Sequence, residues 1–130
     1  MARRVSDPQD YTSTIRRSII NGTIKLFILQ RAQNEPIYGG ALTKALRKFG
    51  YTMSPGTLYP LLHSLEQAKL LRSRTTTVQG RVRRYYDITP FGRGCYAEAR
   101  RTLTALIQEM LFDNDVNPRM KRLDGDKAQS

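Results

Sequence analysis

The sequence predicts a mainly α-helical fold with one small β-hairpin, and three observations lead to this prediction. Apolar residues recur at three- and four-residue spacing in four separate segments, which is the period of a helix with one buried face. Between the third and fourth segments lie two runs rich in β-branched and aromatic residues, joined by Gln79-Gly80-Arg81, as is typical of a hairpin. The length of 130 residues, with 39% hydrophobic and 25% charged residues, suits one globular domain.

The first three helices are predicted from this spacing and from their end signals. Helix one should run from Tyr11 to about Gln33, and helix two from about Gly39 to Lys48. The expected buried face of helix one comprises Ile15, Ile19, Ile20, Ile24, Phe27 and Ile28. Helix three should begin after Ser54, a residue suited to capping a helix, with Pro55 at its first position. Its buried residues should be Leu58, Leu61, Leu62 and Leu65.

The hairpin strands are expected at residues 71–78 and 82–88, after which Thr89-Pro90 opens a last helix. Apolar residues on that helix step by three and four positions, which is the spacing of a coiled-coil seam. The seam comprises Tyr96, Ala99, Leu103, Leu106 and Met110, and Ile107 widens it. A partner helix is therefore expected on this face.

The order of these elements is that of a winged helix-turn-helix domain that carries an extra, long C-terminal helix. The expected ranges are a flexible N-terminus at 1–10, the winged helix-turn-helix domain at 11–89, the dimerisation helix at 90–112 and a charged flexible tail at 113–130. A four-helix bundle with an incidental hairpin is the alternative. The length and charge of the hairpin favour the winged fold.

The charge of the chain points to a polyanionic partner. The net charge is +11 with a pI near 10.3. Residues 38–93 carry ten Lys and Arg against two acidic residues, a net charge of +8 in the predicted helix-turn-helix and hairpin. Double-stranded DNA is the expected partner, because neutralising phosphates releases counterions. An acidic membrane surface or a solvated basic face would be the alternatives.

Other functional classes find little support in the sequence. The longest mostly apolar run, Leu26 to Leu29, is too short to span a bilayer, and no secretory signal opens the chain, so we expect a cytoplasmic, nucleoid-associated protein. The sequence has one histidine, one cysteine and no phosphate-binding glycine loop. We therefore expect a protein that is not an enzyme and that binds no metal or cofactor. Cys95 is either a packing residue or a redox sensor.

The start of helix three supplies groups suited to the major groove, and the hairpin tip supplies arginines. Ser54, Thr57, Tyr59 and His63 offer donors and acceptors, and Gly56 allows a close backbone approach. Arg81 could enter a minor groove or contact phosphates, with Arg83 supporting it. Arg84 alternates to the other face and would pair with Glu66 or Asp87. Tyr85 and Tyr86 also point to opposite faces, so one should belong to the core and the other should be a phosphate contact or a packing residue.

Two motifs carry a family resemblance. They are Ser54-Pro55-Gly56-Thr57-Leu58-Tyr59-Pro60-Leu61-Leu62 and Gly80-Arg81-Val82-Arg83-Arg84-Tyr85-Tyr86-Asp87-Ile88-Thr89-Pro90-Phe91-Gly92. Between about Ile24 and Leu111 the chain resembles the PadR family of transcriptional regulators, and specifically its short-form subfamily. The resemblance implies a homodimeric repressor that binds an inverted-repeat operator and is released by a small aromatic or hydrophobic effector.

The resemblance and the residue pattern together define the candidate site. The predicted DNA-binding residues are Lys44, Ser54, Pro55, Gly56, Thr57, Tyr59, His63, Gly80, Arg81 and Arg83. The predicted dimerisation residues are Tyr96, Ala99, Leu103, Leu106, Ile107 and Met110. Some short relatives bind flat drugs through a tryptophan, and Leu103 stands at that position here. An architectural DNA-binding protein of low sequence specificity on the same fold is the alternative function.

Overall fold

The computed structural model describes residues 8–113, and it has the predicted winged helix-turn-helix fold with a long C-terminal helix. Its elements are α1 (Pro8–Ala32), α2 (Gly39–Lys48), α3 (Pro55–Gln67), β1 (Leu71–Val78), β2 (Arg81–Ile88) and α4 (Pro90–Ile107), followed by a π-helical segment, Gln108–Asp113. Most of the predicted N-terminal arm and C-terminal tail, residues 1–7 and 114–130, lie outside the described residues.

Two helix ends differ from the prediction. Helix α1 begins at Pro8, three residues before the expected Tyr11, because proline suits the first position of a helix, where no intrahelical bond to its nitrogen is needed. Helix α4 keeps regular α-helical bonding only as far as Ile107 and then widens into the π-helical segment. Helix α3 runs without interruption across Pro60.

The hydrophobic core lies among α1, α2, α3 and the base of the hairpin. Its largest fully buried side chains are Ile28, Leu42, Leu58, Leu62 and Leu71. Burying a leucine or isoleucine side chain contributes about 1.5–3 kcal/mol, so these residues supply much of the driving force for folding. The apolar face predicted for α1 is buried only in its second half, since Ile15 and Ile19 remain 56% and 61% exposed.

The hairpin, called the wing below, is a regular antiparallel pair in which Leu71 is paired with Ile88 and Val78 with Arg81. The connection is a two-residue turn, so the expectation that Arg81 belongs to it was wrong. Gln79 and Gly80 both have positive φ, at 51° and 78°. Positive φ at both central residues matches the right-handed twist of the strands, which lets pairing continue up to Arg81.

A single antiparallel β-bridge joins the wing to the segment before α2. The Ile37 nitrogen donates to the Tyr86 carbonyl at 3.0 Å, and the Tyr86 nitrogen donates to the Ile37 carbonyl at 2.7 Å. Both side chains are buried in the core. The wing is therefore attached to the helix-turn-helix by backbone pairing as well as by side-chain packing.

The chain divides into two compact units, the first ending at Tyr96 and the second beginning at Ala97. The first therefore includes the beginning of α4. Thr89 Oγ1 accepts a hydrogen bond from the Gly92 nitrogen at 2.9 Å and donates to the Lys69 carbonyl at 2.6 Å, so one hydroxyl caps α4 and joins it to the turn after α3. The Arg93 side chain donates to the Gln33 carbonyl at 3.1 Å.

The second unit is described from Ala97 to residue 113 and consists of the rest of α4 and the π-helical segment. It presents several exposed large apolar side chains, namely Leu103, Leu106, Met110, Leu111 and Phe112. Across residues 8–113, each helix is either too short or too polar to cross a lipid bilayer.

Candidate nucleic-acid interface

The first turn of α3 is exposed and carries small polar side chains. Ser54 has the extended backbone of an N-cap residue, and its carbonyl accepts hydrogen bonds from the nitrogens of Thr57 and Leu58, both at 3.0 Å. The expected side-chain cap is not formed. Because the Thr57 nitrogen is already bonded to the Ser54 backbone, the Ser54 hydroxyl instead forms a hydrogen bond with Thr57 Oγ1 at 3.2 Å. Both hydroxyls therefore lie together on the exposed surface, beside Pro55 and Gly56.

Tyr59 connects α3 to the beginning of α2 while keeping part of its ring in solvent. Its side chain is 48% exposed. The hydroxyl lies against Gly39, where an added Cβ would be only 2.6 Å from it. The absence of a side chain at Gly39 thus allows the two helices of the helix-turn-helix to approach closely at this point. The ring of Tyr59 is therefore partly exposed to solvent, while its hydroxyl is held in place against Gly39.

The wing has two faces of different chemistry. Strand alternation and the observed register place Leu71 and Tyr86 on the inner face, in the core. The opposite side of the hairpin, called the outer face below, carries four arginines with Tyr85 and Asp87; these arginines are Arg72, Arg74, Arg81 and Arg83. An array of this kind suits a row of phosphates.

Both acidic residues in this part of the chain have basic partners. Arg74 Nε lies 3.1 Å from Asp87 Oδ2, and Arg84 Nη1 lies 4.0 Å from Glu66 Oε1. Of the two partners predicted for Arg84, the structure therefore selects Glu66. Glu66 also accepts hydrogen bonds from the backbone nitrogen and the hydroxyl of Ser73, which joins α3 to β1.

Arg83 is half-buried and contacts two tyrosines. Its guanidinium carbon lies 4.0 Å from the centre of the Tyr38 ring, and its Nη1 donates a hydrogen bond to the Tyr85 hydroxyl at 3.2 Å. The two rings meet edge to face, with centres 5.4 Å apart. The hydrogen bond to Tyr85 raises the pKa of Arg83 above its usual value, which further favours the charged guanidinium.

The remaining predicted site residues occupy different parts of the structure. Lys44 on α2 and His63 on α3 are exposed, as are Gly80 and Arg81 at the wing tip. Tyr96 is half-buried and packs against the core of its own chain, and Cys95 beside it is a half-buried free thiol. Ala99 and Ile107 are half-buried, whereas Leu103, Leu106 and Met110 are exposed. Among the described residues, no three His, Cys, Asp or Glu side chains are grouped as a metal site requires.

Sequence reasoning missed Tyr38 as part of this surface and left the role of Tyr85 open. The structure places Tyr86 in the core and Tyr85 on the outer face. The signal for Tyr85 was available, because residues two apart in a strand share a face, as Arg83 and Tyr85 do. Nothing in the local pattern indicated Tyr38, since its contact depends on the pairing of Ile37 with Tyr86.

Comparison with known proteins agrees with the fold. Residues 28–98 match the family described as "Transcriptional regulator PadR-like family". The chain is also 44% identical over 95 residues to the transcriptional regulator Rv3488 of Mycobacterium tuberculosis, which covers 73% of this chain and 89% of that protein. The family and this relative are transcriptional regulators rather than enzymes.

Solved structures with the same fold include two bacterial regulators. A PadR family transcriptional regulator from Eggerthella lenta is 31% identical with a TM-score of 0.66, covering 78% of this chain and 89% of its own. A PadR-like transcriptional regulator from Bacillus cereus is 27% identical with a TM-score of 0.62, covering 73% of this chain and 97% of its own.

Proposed function

Because the chain belongs to the PadR-like family of DNA-binding transcriptional regulators, we propose that it is a sequence-specific repressor. In this proposal it binds an inverted-repeat operator as a homodimer and is released by a small aromatic or hydrophobic effector. It would act on chromosomal DNA in the cytoplasm, at the nucleoid.

The outer face of the wing is the observation that carries the DNA-binding part of the proposal. Its four arginines belong to the same compact unit as the exposed first turn of α3. In this arrangement the hydroxyls of Ser54 and Thr57 and the ring of Tyr59 would read base edges, while Arg81 and Arg83 would contact the backbone. Each neutralised phosphate would make the slope of log affinity against log salt more negative by about 0.9.

Exposed apolar surface on two helices supports the homodimer. Leu103, Leu106 and Met110 follow the spacing of a coiled-coil seam and are 36–55% exposed. On α1, Ile15 and Ile19 are more exposed still. A regulator with two copies of the reading helix would bind two half-sites about one helical turn apart.

A pocket of about 340 Å³ beside α2 supports the effector part of the proposal. Its apolar lining includes Leu42 and Ala45, and Tyr38, Tyr85 and Arg31 surround it. A small aromatic molecule would find ring edges and apolar side chains there. Ala45→Leu would fill part of the pocket, so we expect this variant to keep DNA binding and to lose release by any compound that frees the unaltered protein from DNA.

The decisive experiment is selection of genomic fragments by the purified protein at roughly physiological salt, where non-specific contacts are weakened. We expect enrichment of an inverted repeat whose half-sites are about one helical turn apart. Retention of fragments without a shared sequence would instead favour the architectural DNA-binding protein.

Substitutions of the residues proposed to read bases, and of those proposed to contact phosphates, refine this test. Thr57→Ala with Tyr59→Ala should reduce discrimination between operator and unrelated DNA, because base contacts specify sequence. Arg81→Ala should weaken binding to both DNAs equally and reduce the salt slope by about 1. Arg100→Ala removes the same charge from α4 and is the matched control, with a smaller expected effect. Unchanged discrimination in the Thr57, Tyr59 double variant would contradict the assignment of the reading residues.

A further inference from the structure

We propose that Tyr38 and Tyr85 are positioning residues for DNA binding, which fix the Arg83 guanidinium on the outer face of the wing so that it meets a DNA phosphate. The inference rests on the proposed function, because it assumes that Arg83 contacts DNA. It assigns a role to Tyr38, which lies outside both sequence motifs, and to Tyr85, which belongs to the second motif but was given no definite role there.

The contacts of Arg83 restrict the movement of its side chain but leave most N–H donors of the guanidinium able to bind a phosphate. Tyr38 lies against the guanidinium at 4.0 Å, and Tyr85 accepts a hydrogen bond from Nη1. A guanidinium has five N–H donors in its plane, and stacking on an aromatic ring uses the face of the group rather than those donors. Arg83 can therefore bind a phosphate without leaving the Tyr38 ring.

Ordering the side chain before DNA arrives should increase affinity. A free arginine loses considerable rotamer freedom when it is immobilised in a complex, and a pre-ordered one has already lost it. Tyr85 is itself contacted by a second arginine of the outer face, since the Arg74 guanidinium carbon lies 5.3 Å from its ring centre. The two tyrosines thus organise more than one positive charge.

The positions of the two rings relate the wing to the helix-turn-helix. Tyr38 is the N-cap residue of α2 and directly follows Ile37, whose backbone pairs with Tyr86. The next residue, Gly39, contacts the Tyr59 hydroxyl of the reading helix. Arg83 is therefore placed with respect to α2 and α3, and not only with respect to its own strand.

The test is a double-mutant cycle on the full chain, read by fluorescence anisotropy with a labelled mixed-sequence duplex of about 30 base pairs, long enough for two half-sites. At low salt, we expect Tyr38→Leu to weaken binding about three- to fivefold and Arg83→Ala to weaken it about tenfold. In the Arg83→Ala background, Tyr38→Leu should have no additional effect. Tyr38→Phe keeps the ring and should restore the affinity that Tyr38→Leu loses.

A second variant guards against a general loss of folding. Tyr85→Phe removes only the hydroxyl and should weaken binding about twofold, again only when Arg83 is present. Thermal unfolding followed by circular dichroism would verify that each variant folds.

The possible outcomes separate the inference from the proposed function. If Tyr38→Leu weakens binding equally with and without Arg83, or if Tyr38→Phe is as weak as Tyr38→Leu, the positioning role is overturned while the DNA-binding assignment of Arg83 remains. If Arg83→Ala binds as well as the unaltered protein, Arg83 does not contact DNA, and the inference is overturned together with that part of the proposed function.

Discussion

Gly92 lies where the first turn of α4 passes directly over the turn that follows α3 and over the base of the wing. An added Cβ would overlap the Leu70 carbonyl group and would lie 2.9 Å from Ile88 Cγ1. Since the Leu70 group is backbone, it cannot rotate away as a side chain could. We expect Gly92→Ala to reduce the free energy of unfolding by about 1–3 kcal/mol, as measured by urea denaturation.

Gly94 provides the matched control for this prediction. It lies on the same helix, and within residues 8–113 no atom lies within 4 Å of an added Cβ there, apart from its chain neighbours and the backbone of its own helix turns. Gly94→Ala should therefore stabilise the protein by about 0.5–1 kcal/mol, because alanine favours the helix. Equal effects of the two substitutions would show that helix propensity, and not the contact with Leu70, dominates at Gly92.

Tyr86 gives the fold a dependence on alkaline pH. Burial raises the pKa of its hydroxyl above the usual value of about 10, although the neighbouring Arg84 acts in the opposite direction. The folded state therefore retains the Tyr86 proton at a pH where the unfolded chain releases it. The contribution of this group to stability is complete below pH 10 and declines as pH rises toward its folded-state pKa.

Urea midpoints measured between about pH 9 and 11 would test the prediction for Tyr86. We expect the midpoint of the unaltered protein to fall more steeply than that of Tyr86→Phe, which lacks the titrating group. Parallel declines would assign the alkaline sensitivity to other tyrosines and lysines.

At the scale of single elements, the wing turn is built on a residue poorly suited to its backbone. Gln79 has φ of 51°, a conformation that asparagine tolerates better than glutamine does. Gln79→Asn should raise the free energy of unfolding by about 0.5 kcal/mol, measurable as a higher melting temperature. Gln79→Ala keeps the unfavourable φ and should give no gain, so a similar rise in both variants would contradict the explanation.

The helices and strands could largely be predicted from the sequence, whereas the packing of their faces and the hydrogen bonds at their ends could not. Periodicity and the end signals identified all four helices and the hairpin, and the two motifs identified the family. Periodicity shows which residues share a face but not what covers that face, which is why Ile15 and Ile19 were expected to be buried in α1. The Ser54 cap failed for a related reason, because a backbone carbonyl competes for the same donor.

The candidate site was predictable where it depends on motifs and not where it depends on tertiary pairing. The exposed groups at Ser54, Thr57 and Arg81 belong to the two motifs. The placement of Tyr38 beside Arg83 requires the chain between α1 and α2 to pair with β2, and residues this far apart in sequence leave no local pattern.

At the scale of the whole molecule, the exposed seam of α4 predicts how the chain associates. If the seam joins two copies, Leu106→Glu would place a charge in the interface and shift the protein from a dimer toward the 14.9 kDa monomer. Ala105→Glu introduces the same charge at an exposed position about 100° around α4 from Leu106, outside the seam, and should leave the dimer intact. Light scattering after gel filtration measures both masses, and a Leu106→Glu variant that remains dimeric would place the interface elsewhere.

The paired backbones of Ile37 and Tyr86 also determine how the first unit should open in solution. Each residue donates one amide to the other, so neither amide can become accessible unless both strands separate. We expect the two amides to exchange with deuterium at similar slow rates, while amides at the Gln79–Gly80 turn exchange much faster. A wing that frayed independently would instead exchange Tyr86 rapidly. Slow exchange at both positions would indicate that the wing and the helix-turn-helix unfold together as a cooperative unit.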